Sequence, residues 1–222
     1  MDLGLTNKIA LVAASSKGLG RGCATALAAE GAHVTICARD ESILKTTRDE
    51  IAAATGANIL AVAADMTRPA DIEAVVQQTV DHFGGLHILV TNAGGPPAGF
   101  LPDFSDEQWQ AAFNLTMMSA VRLIRAALPH QKKAGWGRII NITSMTVKEP
   151  LDNLVLSNPF GPQYTVWLKQ SRAKSGPMAL RLTTSCRATF KQTASSNWLR
   201  MPLKTSANLP AKSLPTGAPP SP

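Results

Sequence analysis

Tyrosine occurs once in this chain and cysteine three times. Cys23, Cys37 and Cys186 form no Cys-x-x-Cys pair and are odd in number, which speaks against a disulfide framework and points to a reducing, cytoplasmic setting. No apolar run reaches the ~18–20 residues that a bilayer span requires, so no membrane partner is expected. The opening MDLGLTNK lacks the basic and then apolar blocks of a signal peptide. Acidic residues are missing altogether beyond position 158. Residues 1–158 hold 13 Lys/Arg against 15 Asp/Glu, whereas the remaining 64 residues hold nine basic and no acidic ones. The net charge of +7 therefore comes entirely from the last part of the chain. A tail of that kind often marks nucleic-acid binding.

What is present up to about residue 143 is an alternation of two kinds of segment. Short apolar runs at 8–14, 33–38, 58–64, 86–91 and 137–143 read as buried strands. Between them, 18–30, 41–54 and 67–83 read as helices, the first closed by Gly31 and the third capped by Thr67, opened by Pro69 and stopped by Gly84-Gly85. Ser105 and Gln108 form a capping box for a long helix to about Leu128. Apolar strands alternating with helices imply an α/β fold, a doubly wound Rossmann-type parallel sheet with helices on both faces. The order expected is 3-2-1-4-5, with the last strands missing and strand five left as an edge.

The turn after the first strand reads Ala13-Ala14-Ser15-Ser16-Lys17-Gly18-Leu19-Gly20. Lying between strand and helix, it is placed to set a dinucleotide pyrophosphate against helix N–H groups, with Gly18 and Gly20 allowing close backbone approach. The second strand ends Cys37-Ala38-Arg39. NAD binders place a carboxylate there for the ribose 2′-OH. A guanidinium at Arg39, with Lys17 as a second cation, suits a 2′-phosphate instead, and so NADP rather than NAD. The plain alternative is that Arg39 is a surface charge paired with Asp40 or Glu41. The four histidines show no metal spacing and read as structural; no metal is expected.

Asp65 ends the third strand, Asn92-Ala93-Gly94 follows the fourth, Asn114 sits in the long helix and Ser144 ends the fifth strand. With the glycine turn, these resemble the short-chain dehydrogenase/reductase family over residues 5–158. The strings Asn92–Pro97 and Ser144–Asn158 resemble its 3-oxoacyl-carrier-protein-reductase-like subgroup. The resemblance implies that Gly18, Leu19 and Gly20 hold the pyrophosphate, with Ser15, Ser16 and Lys17 of the same turn also binding the cofactor, that Asp65 and Met66 meet the adenine, and that Asn92, Ala93 and Gly94 meet the adjoining ribose. Asn114 would support a proton-relay water, and Ser144 would hydrogen-bond a carbonyl substrate as charge develops. It also implies a small carbonyl or alcohol substrate and, for the intact family, a homo-oligomer. Two departures stand out. The family's first glycine is Ala14. The usual Tyr-x-x-x-Lys would fall on Ser157 and Gly161, and the single tyrosine, Tyr164, has Lys169 at the wrong spacing. The subgroup is itself known for an imperfect catalytic set, which leaves room for a non-catalytic NADP-binding protein.

Beyond Asn158 the apolar pattern stops. The chain thus divides into 1–158, an incomplete NADP-binding domain, and 159–222, a basic tail that reads as disordered and out of frame. The genetic code supports that reading. When codons start at the third base of the present ones, residues 176–189 can encode AHGVTVDNVLPGY, a strand and a Pro-Gly turn in the family's order. Met178-Ala179 necessarily gives glycine in that frame. A one-base loss near codon 158 accounts for the basicity, so no nucleic-acid partner is expected. With its last strand and helix lost, the chain is expected to fold incompletely and to have impaired turnover.

Overall fold

The computed structural model describes residues 3–144 and 151–158, and the backbone of 179–187. The elements run β1 (Ile9–Val12), α1 (Gly18–Ala29), β2 (His33–Ala38), α2 (Glu41–Thr55), β3 (Ile59–Ala63), α3 (Pro69–Phe83) and β4 (Ile88–Thr91). They continue with α4 (Asp106–Phe113), a π turn (Asn114–Met118), α5 (Ser119–Lys133), β5 (Trp136–Ser144) and β6 (Ala179–Arg187).

The side-chain alternation of β1 explains why the sheet needs cover on both faces. Ala10 and Val12 join a core with Val34, Ile36 and Val90 beneath Ala24 and Ala28 of α1 and Leu44 and Ile51 of α2. Leu11 and Ala13 join the opposite core with Leu89 and Ile139 beneath Val75 and Val76 of α3 and Leu123 and Ala127 of α5. β1 is apolar throughout because its successive side chains enter different cores. All pairings are parallel, in the order β3-β2-β1-β4-β5-β6.

The order 3-2-1-4-5 is as expected, but β5 is not an edge. Ser144 pairs with Arg187 at one end of the β5–β6 ladder and Trp136 with Ala179 at the other. The strand Ala179–Arg187 reads ALRLTTSCR. Leu180 and Leu182 alternate with Arg181 and Thr183, a two-residue period that Pro- and Ser-rich flanks conceal. It falls within the stretch read as tail.

Several helix ends differ from the sequence expectation. Thr67 does not cap α3: its N–H and hydroxyl both bond Asp65 Oδ1 at 2.8 Å, and Arg68 takes the cap position. The long helix runs through Pro129 to Lys133, past the expected stop at Leu128. Fully buried Gln131 anchors its last turn, donating to the carbonyls of His87 (3.0 Å) and Arg138 (3.3 Å). The continuous helix Asp106–Lys133, 28 residues with a mean hydropathy of 1.2 in its most apolar window, has the length and composition of a membrane span. Its apolar stretch is interrupted by Asn114, Thr116, Ser119, Arg122 and Arg125, so no unbroken apolar run of that length occurs in it. The apolar residues counted there include Leu123, Ile124 and Ala127, which fill the core against α3 and the sheet. A core helix passes the same test of length and composition.

Candidate active site

Parallel pairing brings the ends of β1, β2, β3, β4 and β5 to one edge, and the strand order reverses between β1 and β4. Ligands of open α/β sheets bind outside the carboxyl ends of strands at such a reversal. Of the residues singled out from the sequence, the glycine turn follows β1, Arg39 follows β2, Asp65 and Met66 follow β3, Asn92–Gly94 follow β4 and Ser144 ends β5, whereas Asn114 lies in the helical segment between β4 and β5.

The glycine turn is built under tight constraint. Ala14 has φ +45°, in the left-handed region, where the resemblance expects glycine. Its carbonyl accepts a hydrogen bond from Asn92 Nδ2 at 3.0 Å, tying the end of β4 to the turn. A Cβ on buried Gly20 would lie 2.4 Å from Ala14 O and 2.9 Å from both Asn92 Nδ2 and Ser15 Cα. Only glycine lets the first turn of α1 approach this closely. Gly18, at φ +60°, is exposed with nothing near a Cβ, and Gly94 is likewise open. The first turn of α1 carries no acidic residue, and its N-cap Lys17 makes no side-chain cap bond. With the helix dipole added, this end of a 12-residue helix fits an anionic phosphate group. Half-buried Leu19 lies just inside α1.

Ser15 is placed differently from its neighbours. It is fully buried, its hydroxyl donates to Val12 O at 2.7 Å, and the same oxygen accepts from the Cys37 N–H at 3.0 Å. Its side chain thus binds the sheet, as does its N–H, which donates to Cys37 O at 2.9 Å, so neither is offered to a ligand. The Ser16 carbonyl accepts from Thr47 Oγ1 at 2.8 Å. Neither Asn92's tie to Ala14 nor Thr47's to Ser16 was foreseen from the sequence, because each pairs residues far apart in the chain.

At the end of β2, Arg39 is exposed. The neighbouring carboxylates are otherwise engaged: Asp40 accepts from the Ile43 N–H as N-cap of α2, and Glu41 pairs with Lys45 at 2.7 Å. Among the described residues, neither Arg39 nor Lys17 forms a salt bridge. The Asp65 carboxylate is held below its usual range chiefly by the Thr67 N–H, then by the Thr67 hydroxyl and the nearby charges of Arg39 and Arg68, against some desolvation. Met66 is 5% exposed and belongs to the core that contains Ile72 and Val76, so its side chain is not offered to a ligand.

Asn92 and Ala93 are half-buried and Gly94 exposed just beyond β4. Asn114 opens the π turn, where the Ser119 N–H reaches back to its carbonyl; single π turns of this kind often accompany functional sites. Ser144 is the last residue of β5 and half-buried. Buried Thr91 and Asn141 join β4 to β5 just behind it, Oγ1 to Oδ1, at 2.6 Å. Ser157 lies in a turn, its N–H bonded to Leu154 O at 2.8 Å, and this segment is stitched to the loop after β4 through Gly99 N–H to Asn153 O at 2.8 Å. Gly161, Tyr164 and Lys169 lie outside the described residues. Three of the histidines make packing or hydrogen-bond contacts: His33 stacks on Phe83, His82 meets the same ring edge-on, and His87 Nδ1 accepts from the Ile9 N–H at 3.1 Å. No cluster of three metal-ligating side chains occurs among the described residues.

The family model described as short chain dehydrogenase matches residues 8–156. Among curated proteins, the chain is 35% identical over 181 residues to a D-beta-hydroxybutyrate dehydrogenase of Rhizobium meliloti, covering 80% of this chain and 64% of that protein. It is 36% identical over 143 residues to the 3-oxoacyl-[acyl-carrier-protein] reductase FabG of Vibrio cholerae, covering 64% and 57%. The chain thus spans less than two thirds of the length of these curated relatives. Among solved structures, L-sorbose reductase from Gluconobacter frateurii, complexed with NADPH and L-sorbose, superposes with a TM-score of 0.80 at 32% identity, covering 83% of this chain and 70% of that one. An actinorhodin polyketide ketoreductase with NADPH gives 0.76 at 26% identity, covering 81% and 69%.

Proposed function

The chain belongs to the short chain dehydrogenase family, and on that premise we propose that it binds NADP(H) in preference to NAD(H) at the carboxyl edge of its sheet. Its activity, by descent, is hydride exchange between that dinucleotide and a small carbonyl or alcohol. The observation that carries the reading is the pair Lys17 and Arg39. Both are exposed, they flank the glycine turn and the end of β2, and neither is neutralised by a salt bridge among the described residues. Two cations that form no salt bridge among the described residues favour a 2′-phosphate over a bare 2′-OH. The backbone at Gly18, Leu19 and Gly20 takes the pyrophosphate, Asp65 and the Met66 backbone border the adenine, and Asn92 to Gly94 border the ribose.

The bound dinucleotide supplies or accepts the hydride. The Ser144 hydroxyl donates to the substrate oxygen, and Asn114, at the π turn, holds a water for proton relay. Ser157 stands at the position of the family's acid. An aliphatic hydroxyl gives up a proton far less readily than a phenol, so the proton-transfer step lacks its donor and turnover is impaired. The same observation favours a second reading, an NADP(H)-binding protein without catalysis. The free thiols of Cys23 and Cys37 support a reducing, cytoplasmic setting; a homo-oligomer belongs to the intact family form.

Titrating NADPH and NADH into the full chain and into Arg39→Ala tests the cofactor assignment. A lost charge-assisted phosphate contact corresponds to roughly 1.5–3 kcal/mol, about ten- to a hundredfold in NADPH affinity. Equal affinities in the wild type would refute it. Measuring NADPH oxidation with a panel of carbonyl compounds separates the two readings: slow turnover supports the impaired enzyme, and its absence the binding protein.

A further inference from the structure

We propose that Thr47, on α2 and outside the dinucleotide site, is a positioning residue that sets cofactor preference by holding the Arg39 corner against the glycine turn. The inference rests on the NADP(H) reading above. Thr47 is 2% exposed. Its Oγ1 lies 2.8 Å from the Ser16 carbonyl and 2.9 Å from the Ile43 carbonyl. A hydroxyl has one proton, so Thr47 shares it between the two. Ser16 immediately precedes Lys17. Ile43 lies in the first turn of α2, whose cap is Asp40, the residue after Arg39. One hydroxyl therefore links the backbone before one cation to the helical turn after the other.

The opposite side of the corner is tied independently. Ser15 N–H donates to Cys37 O at 2.9 Å, and Ser15 Oγ accepts from Cys37 N–H at 3.0 Å. Both backbone groups of Cys37, two residues before Arg39, are thus bonded to the turn. Ser15 pins the turn to β2 and Thr47 pins it to α2. A further link between α1 and α2, the Arg21–Glu50 salt bridge at 2.9 Å, joins half-exposed side chains and holds little. Because the Lys17 and Arg39 side chains are exposed, their spacing follows that of the backbones these bonds hold. A 2′-phosphate uses both cations at once, whereas NAD(H) uses neither. Loss of the Thr47 hydroxyl therefore weakens NADP(H) selectively, although Thr47 touches no part of the dinucleotide.

The test titrates NADPH and NADH, by the fluorescence of the bound nicotinamide, into the full chain and into Thr47→Val, Thr47→Ser and Thr47→Val with Arg39→Ala. Thr47→Val is expected to lower NADPH affinity about tenfold, the scale of one buried polar group left without its partner, and to leave NADH within about twofold. Thr47→Ser, which keeps the hydroxyl, restores the preference. In the Arg39→Ala background Thr47→Val no longer changes the NADPH-to-NADH ratio, because the coupling runs through Arg39. An unchanged ratio in Thr47→Val, or equal weakening of both cofactors, would overturn the proposal. If Thr47→Val does not fold, Ser15→Ala decides: it releases the same corner from the β2 side, and an unchanged ratio there overturns the proposal equally. A wild type that does not distinguish the cofactors sinks the NADP(H) reading and this inference with it. A preference abolished by Arg39→Ala but intact in Thr47→Val sinks the positioning role alone.

Discussion

Gly20→Ala places a methyl group where the turn and α1 already touch. The added Cβ would sit 2.4 Å from Ala14 O, 2.9 Å from Ser15 Cα and 2.9 Å from Asn92 Nδ2. Two of those three atoms are backbone, so no rotamer change relieves the contact, and α1 and the turn must separate. Ala14 has little room to yield, being already at φ +45°. Overpacking of this kind costs about 1–3 kcal/mol. Displacing the Asn92 amide from the Ala14 carbonyl, now 3.0 Å away, adds about 1 kcal/mol. The expected destabilisation of about 2–4 kcal/mol corresponds to a fall in Tm of about 4–16 °C for a domain of this size. Gly22→Ala, two residues further along α1 with nothing within 4 Å of a Cβ, is the control and should stabilise by roughly 0.5–1 kcal/mol. Thermal melts of both variants beside the wild type decide the matter. A Gly20→Ala chain that melts within a degree of the wild type would show that the turn and α1 are not in contact as described.

Three further outcomes follow from the same structure and a fourth from the sequence. Ala14→Gly removes a left-handed conformation that costs alanine ~1–2 kcal/mol, partly offset by ~0.4–1 kcal/mol of added unfolded-state freedom, so a small rise in Tm is expected and a fall would contradict it. His87 is held below its ordinary value of 6.5 by burial first and by the Lys8 charge second. Its native form therefore resists protonation, and its contribution to stability is full above pH ~6.5 and lost as the pH falls below it. His87→Asn, which keeps an acceptor for the Ile9 N–H, should flatten the acid side of a Tm–pH curve; an unchanged slope would assign the acid sensitivity elsewhere. Thr91→Val removes the buried donor to Asn141 Oδ1 and should cost about 1–3 kcal/mol, read by urea denaturation. Sequencing the coding DNA and close relatives around codons 157–160 should reveal a one-base loss, and relatives sharing the tail KQTASSNWLRMPLK would dismiss it.

Local chemistry determined much of this protein from the sequence alone. The strand–helix alternation and the glycine turn follow from hydrophobic period and from the conformational demands of glycine and proline, which act over a few residues, and the order 3-2-1-4-5 is that of the doubly wound fold the alternation implies. The edge proposed to bind phosphate follows too, because Arg39 and Lys17 sit at fixed offsets from strand ends. Side-chain direction at the turn was decided by tertiary structure. Ser15 and Gly18 belong to one motif, yet the hydroxyl of Ser15 turns into the sheet because the backbone groups of Cys37, brought alongside by β1–β2 pairing, need partners once burial removes water. Met66 follows Asp65 in the chain but fills the core with Ile72 and Val76. The bonds from Asn92 to Ala14 and from Thr47 to Ser16 span distances in sequence that no periodicity reports. The placement of β6 beside β5 likewise depended on a long-range ladder, since a two-residue period in a Pro- and Ser-rich stretch becomes a strand only when a neighbour supplies its hydrogen bonds.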